Sequence, residues 1–91
     1  MRAMEIGKRL RRMREEAGIS RPVLARAAGV GESYLAALEK GQLSDPKIGT
    51  FVRVVTAMAK LTGRPWMYVL EQLLQDVFRD ADTNAPADGG R

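Results

Sequence analysis

The stretch from Ser20 to Gly41, SRPVLARAAG followed by VGESYLAALEKG, constrains the fold of this 91-residue chain more than any other. Each half reads as a short helix, and the junction Gly29-Val30-Gly31 is too short to let the two separate. Helices tied so closely must cross at a steep angle. The apolar positions agree, because Leu24, Ala25 and Ala28 share one face of the first helix while Leu35 and Leu38 share one face of the second. Val30 lies between them as a plug. The small residues Ala25, Ala27, Ala28 and Gly29 let the two backbones come close, and Gly29 suits the left-handed position that ends a helix.

The chain has no cysteine and no histidine, which excludes disulfides, thiol catalysis and ordinary zinc sites and removes the commonest general base. It shows no paired carboxylates, no nucleophile with a base and no glycine-rich phosphate loop. The expectation is therefore a protein that is not an enzyme and takes no cofactor or metal. No apolar run approaches the length of a membrane span, and Met1 to Ala17 is too charged for a signal peptide, so a cytoplasmic protein is expected. Ninety-one residues suit one domain near the lower size limit for a self-sufficient core, where a partner subunit helps.

Charge is unevenly distributed. Residues 1–64 hold 13 Lys and Arg against 6 Asp and Glu, whereas residues 65–91 hold 2 against 5. A small basic domain with a net charge of +7 over its first 64 residues attracts polyanions, nucleic acid above all, unless the charge serves only solubility.

In chain order, Met4 to Ala17 reads as a helix with Ile6, Leu10, Met13 and Ala17 inward, ended by Gly18. Its other face, Lys8, Arg9, Arg11 and Arg12, is either a solvated surface or a set of phosphate contacts. Ser20 is a good N-cap for the second helix, with Pro22 in its first turn. The third runs from about Glu32 to Lys40 and stops at Gly41, which leaves Glu32, Ser33, Ala36, Ala37 and Lys40 outward. After the loop Gln42 to Lys47, Asp45-Pro46 starts a fourth helix with Ile48, Phe51, Val52, Val55 and Met58 inward and Arg53, Thr56 and Lys60 outward. Pro65 opens a fifth helix, residues 65–79. Trp66, Met67, Val69, Leu70, Leu73, Leu74, Val77 and Phe78 cover about half its circumference, more than one small core needs. The excess predicts a two-fold partner bound through Met67, Leu70, Leu74 and Phe78. Membrane binding fits worse, because the polar face carries Glu71, Gln72, Gln75 and Asp76 where a surface binder carries Lys and Arg. Residues 80–91 cannot bury enough to fold and are expected to be a disordered tail.

Across residues 5 to 58, the blocks IGKRLRRMREEAGIS, LARAAGV, SYLAALEKG and DPKIGTFVRVVTAM stand at spacings that resemble the lambda-repressor-like, or xenobiotic-response-element, helix-turn-helix proteins. The resemblance implies that Glu32, Ser33 and Ala37, with Ala36 alongside, read base edges. Glu32 suits a cytosine amino group and the alanines a thymine methyl, and none makes the bidentate arginine-to-guanine contact. Glu32 alternatively only complements the dipole at its helix N-terminus. Gly31 stands where the family commonly has a Ser or Thr cap. The resemblance also implies an ion pair between Arg14 and Glu39. Where Arg21 stands the family usually has a glutamine that contacts phosphate and braces the recognition helix; arginine keeps the first role and leaves the second open. The phosphate-contacting set is Arg21, Tyr34, Lys40, Gln42, Ser44 and Lys47, with Tyr34 alternatively covering the contact with helix 1. Compared with the family's pattern, Ala59 to Pro65 is longer by roughly one helical turn, which extends the fourth helix toward Gly63.

The combined expectation is an all-α, five-helix domain over residues 1–79 that binds double-stranded DNA as a homodimer and represses transcription. The alternative is a protein-interaction module, like the antitoxins and bridging factors among the family's members.

Overall fold

A computed structural model describes residues 3–43 and 46–75, the side chains of residues 3 and 4 excepted. The described residues form five α-helices and no strand: α1 (Ala3–Glu16), α2 (Arg21–Ala28), α3 (Glu32–Glu39), α4 (Ile48–Thr62) and α5 (Trp66–Leu73). Ile6 and Leu10 are buried on α1 with Met13 half-buried beyond them, which is the i, i+4, i+7 face of an amphipathic helix. Ala17 lies past the end of α1 and is exposed, because the chain has already turned into Gly18. Ser20 caps α2, its hydroxyl accepting from the Val23 N–H at 3.3 Å, and Pro22 sits in the first turn, where no N–H is needed.

One core joins all five helices. Leu10, Leu24, Leu35, Val54, Val55, Met58, Val69 and Leu73 are fully buried, so each of the five contributes at least one side chain shut off from water. α2 packs on α4 and on α3, α1 packs on α3 and α5, and α4 packs on α5. The helix-turn-helix is thus held from behind by α1 and α4.

The start and inward face of α4 differ from the expectation. Lys47 is its N-cap and Ile48 its first residue, so the helix begins after Pro46. The buried residues are Val54, Val55, Ala57 and Met58, with Phe51 half-buried, while Val52 is exposed and Ile48 is 76% exposed. The expected set 48, 51, 52, 55, 58 and the observed 51, 54, 55, 58 both satisfy helical spacing. Apart from a strip formed by Arg53, Thr56 and Lys60, α4 carries a wide apolar arc, so periodicity leaves its exact rotation open and contact with α2 and α5 decides it. The added turn is present: α4 continues to Thr62 and ends at Gly63.

Pro65 is the N-cap of α5 rather than its first residue, and Leu74 stands at the C-cap with φ −105°. The regular helix of α5 ends at Leu73, helix is assigned again at Gln75, and residues 76–79 of the expected helix lie outside the described residues. Val77, Phe78 and the expected tail, residues 80–91, lie outside the described residues, as do Ser44 and Asp45. Thr56 accepts a hydrogen bond from the Trp66 indole N–H at 3.1 Å, which ties the start of α5 back to the middle of α4.

Candidate nucleic-acid interface

The turn between α2 and α3 is made by Gly29 at φ 69°, ψ 33°. Its N–H donates to the Arg26 carbonyl, and the next N–H, of Val30, donates to the Ala25 carbonyl at 3.0 Å. These two bonds satisfy carbonyls left over at the end of α2, and the left-handed residue between them costs a non-glycine side chain about 1 kcal/mol or more. Val30 is half-buried against the core and sets the distance between the two helices.

Leu35 and Leu38 anchor α3, both almost wholly inaccessible. On the opposite side Glu32 and Ser33 are exposed, and Ala36 and Ala37 are half-exposed between them. Gly31, at the N-cap, supplies no side-chain hydrogen bond. The base-reading candidates thus share one accessible face at the first two turns of α3.

Glu39 closes α3 from behind. Its side chain is buried, and its carboxylate accepts from Arg14 twice: Nε to Oε2 at 2.7 Å and Nη2 to Oε1 at 3.0 Å. Arg14, 6% exposed, donates a third hydrogen bond, from Nη1, to the Ile19 carbonyl at 2.9 Å. The hydrogen bonds to Glu39 hold the Arg14 guanidinium above the usual arginine range, against the opposing effect of burial. A bidentate pair of this kind fixes an angle as well as a distance. Arg21 joins the same carboxylate, its Nε 3.4 Å from Glu39 Oε1, with about a third of its side chain exposed. Arginine at position 21 therefore braces α3 directly, and the rest of its guanidinium stays available to solvent.

Gly7 is the residue that sequence reasoning passed over. It is buried in the middle of α1, and a Cβ there would run into the Leu38 carbonyl oxygen and lie 3.0 Å from that of Glu39. α1 and α3 touch backbone to backbone at this point. A lone glycine inside an otherwise strong helical pattern was the available signal.

The expected phosphate contacts are spread around this face. Lys40, Gln42 and Lys47 are exposed beyond the end of α3, Tyr34 is half-buried against the core, and Ser44 lies outside the described residues. Arg53 of α4 reaches the turn itself, since a Cβ on Gly29 would lie 3.8 Å from its Nη1.

A family model described as a helix-turn-helix domain matches residues 5–65. The chain belongs to this helix-turn-helix family. The assignment agrees with a lambda-repressor-like or xenobiotic-response-element type, and a helix-turn-helix domain implies DNA binding. No curated protein and no solved structure matches the chain. The matched span covers α1 to α4 and stops at the cap of α5. Among the described residues no helix is long and apolar enough to cross a membrane, and no group of three or more acidic, histidine or cysteine side chains could hold a metal.

Proposed function

We propose that the protein is a sequence-specific repressor that binds duplex DNA as a homodimer, with α3 in the major groove. The observation that carries this reading is the split of α3 into a clamped back, Leu35, Leu38 and Glu39, and an accessible front, Glu32, Ser33, Ala36 and Ala37, in a chain of the helix-turn-helix family. Lys40, Gln42 and Lys47 are exposed at the end of α3 and before α4, which supports assigning them to the phosphate backbone. The base-reading set lacks arginine, so much of the discrimination falls to DNA shape and deformability. Repression by occupancy needs nothing beyond tight binding at a promoter.

The test is equilibrium binding to a site selected from random duplexes, measured across a salt series. Counterion release gives a log–log slope of roughly −0.9 for each phosphate neutralised. Lys47→Ala should flatten the slope by about one such unit and weaken all sequences alike. Arg21→Ala is a less clean probe, because it also removes a brace from Glu39. No binding at low salt, or binding indifferent to salt, would leave the protein-interaction reading in its place.

A further inference from the structure

We propose that the groove between α1 and the α4–α5 turn is a binding site for a small organic anion bearing an apolar ring or chain. The cavity measures about 450 Å³, within the range of roughly 300–1,000 Å³ typical of small-molecule sites. Its charged lining is Arg9, Arg12 and Glu16 from α1 and Arg64 from the turn, an excess of positive charge. Met13, Leu61 and the ring of Tyr68 supply apolar surface between these charges. No residue of α2 or α3 lines the groove, so it is distinct from the DNA-reading face.

A solvated arginine near a helix C-terminus often does no more than pair along the helix and offset the dipole. Arg11 does this, with Nε 3.0 Å from Glu15. Arg12 has the same opportunity in Glu16, one turn on, and does not take it: among the described residues no carboxylate lies within 4 Å of either Arg12 or Arg64. Arg64 instead lies over the Tyr68 ring, its Cζ 4.9 Å from the centroid, a contact that holds the guanidinium at the edge of the groove. Two guanidiniums with no carboxylate partner among the described residues border a groove whose other lining is mixed, Met13, Leu61 and the Tyr68 ring standing beside Thr62, Gln72 and Gln75. A planar carboxylate suits guanidinium donors bidentately, and a ring or chain attached to it covers Met13 and Leu61. Inorganic phosphate satisfies only the charged half.

The experiment uses the full chain without DNA, so it stands or falls apart from the DNA reading. Benzoate and inorganic phosphate, at matched ionic strength, are titrated into ¹⁵N-labelled protein. Benzoate should shift the Arg12, Arg64, Tyr68 and Gln72 resonances saturably, with Kd on the order of millimolar for so small a ligand. Phosphate should bind several-fold more weakly. Arg12→Gln and Arg64→Gln should each weaken benzoate about fivefold, whereas Lys60→Gln, a cation outside the groove, should not. Both lost arginines are exposed and their variants should keep the wild-type spectrum elsewhere. Shifts that do not saturate, shifts centred on α2 and α3, equal binding of phosphate, or arginine variants that bind benzoate as the wild type does would each overturn the proposal.

Discussion

Truncating Glu39 strands two guanidiniums at once, and one of them, Arg14, has almost no access to water. Glu39→Ala should destabilise the domain by about 3–5 kcal/mol, the usual consequence of leaving a buried charge unpaired. Arg21→Ala, at the partly solvated edge of the same network, should cost no more than about 1 kcal/mol. The paired replacement Arg14→Met with Glu39→Leu should recover most of the loss; urea midpoints of the four proteins settle the comparison. Because the folded state raises the Arg14 pKa, the pair's contribution is complete below the ordinary arginine value and fades only as pH climbs past it. No alkaline loss of stability below about pH 12 should trace to this pair. Gly7→Ala gives a second residue-scale test: its methyl meets backbone that has no rotamer to change, so a loss of about 1–3 kcal/mol or more is expected in the same urea titration. These two features differ in how far the sequence disclosed them. The pairing of Arg14 with Glu39 was implied by resemblance alone. The glycine was visible as an oddity in α1, but its neighbour, the Leu38 carbonyl, is fixed only by how closely α1 and α3 approach, which no local pattern encodes.

For individual helices, legibility followed the contrast between faces. α1 and α2 mix charged and apolar residues at helical spacing, so their buried positions Ile6, Leu10, Leu24, Ala25 and Ala28 were readable directly. The caps were readable too, because Ser20, Gly29 and Gly63 each do something other residues do badly. α4 also has a polar strip, Arg53, Thr56 and Lys60, but its apolar arc is wide enough to seat in more than one rotation, and which part is buried is a tertiary decision. The outcome is testable: Ile48→Lys should change the melting temperature little, within about 0.5 kcal/mol of stability, whereas Val54→Asp should unfold the domain as judged by circular dichroism. The apolar excess of α5 was read from composition, and part of it belongs to the domain itself, since Leu70 and Leu74 are half-buried against the core. Met67, 54% exposed, is the member of the described stripe left over for a partner.

At the scale of the whole molecule, that remainder refines the assembly prediction. Leu74→Asp would damage the core as well as any interface, so Met67→Asp is the cleaner probe: it should give a folded monomer by sedimentation at tens of micromolar and bind DNA far more weakly. Two recognition helices related by a dimer axis should prefer half-sites about 10 base pairs apart. A monomeric wild type whose DNA affinity is indifferent to the Met67 change would assign α5 wholly to its own domain. The close approach of α1 to α3 has a further consequence, in time rather than in space. α3 has eight residues and no side-chain cap, and a lone helix shorter than about 12–15 residues is marginal in water. Part of what holds it as a helix comes from α1, through the close approach at Gly7 and the ion pair of Arg14, both encoded earlier in the chain. The α1–α3 contact therefore cannot close during synthesis before Glu39 has been made, because Arg14 and its carboxylate partner stand 25 residues apart in the chain.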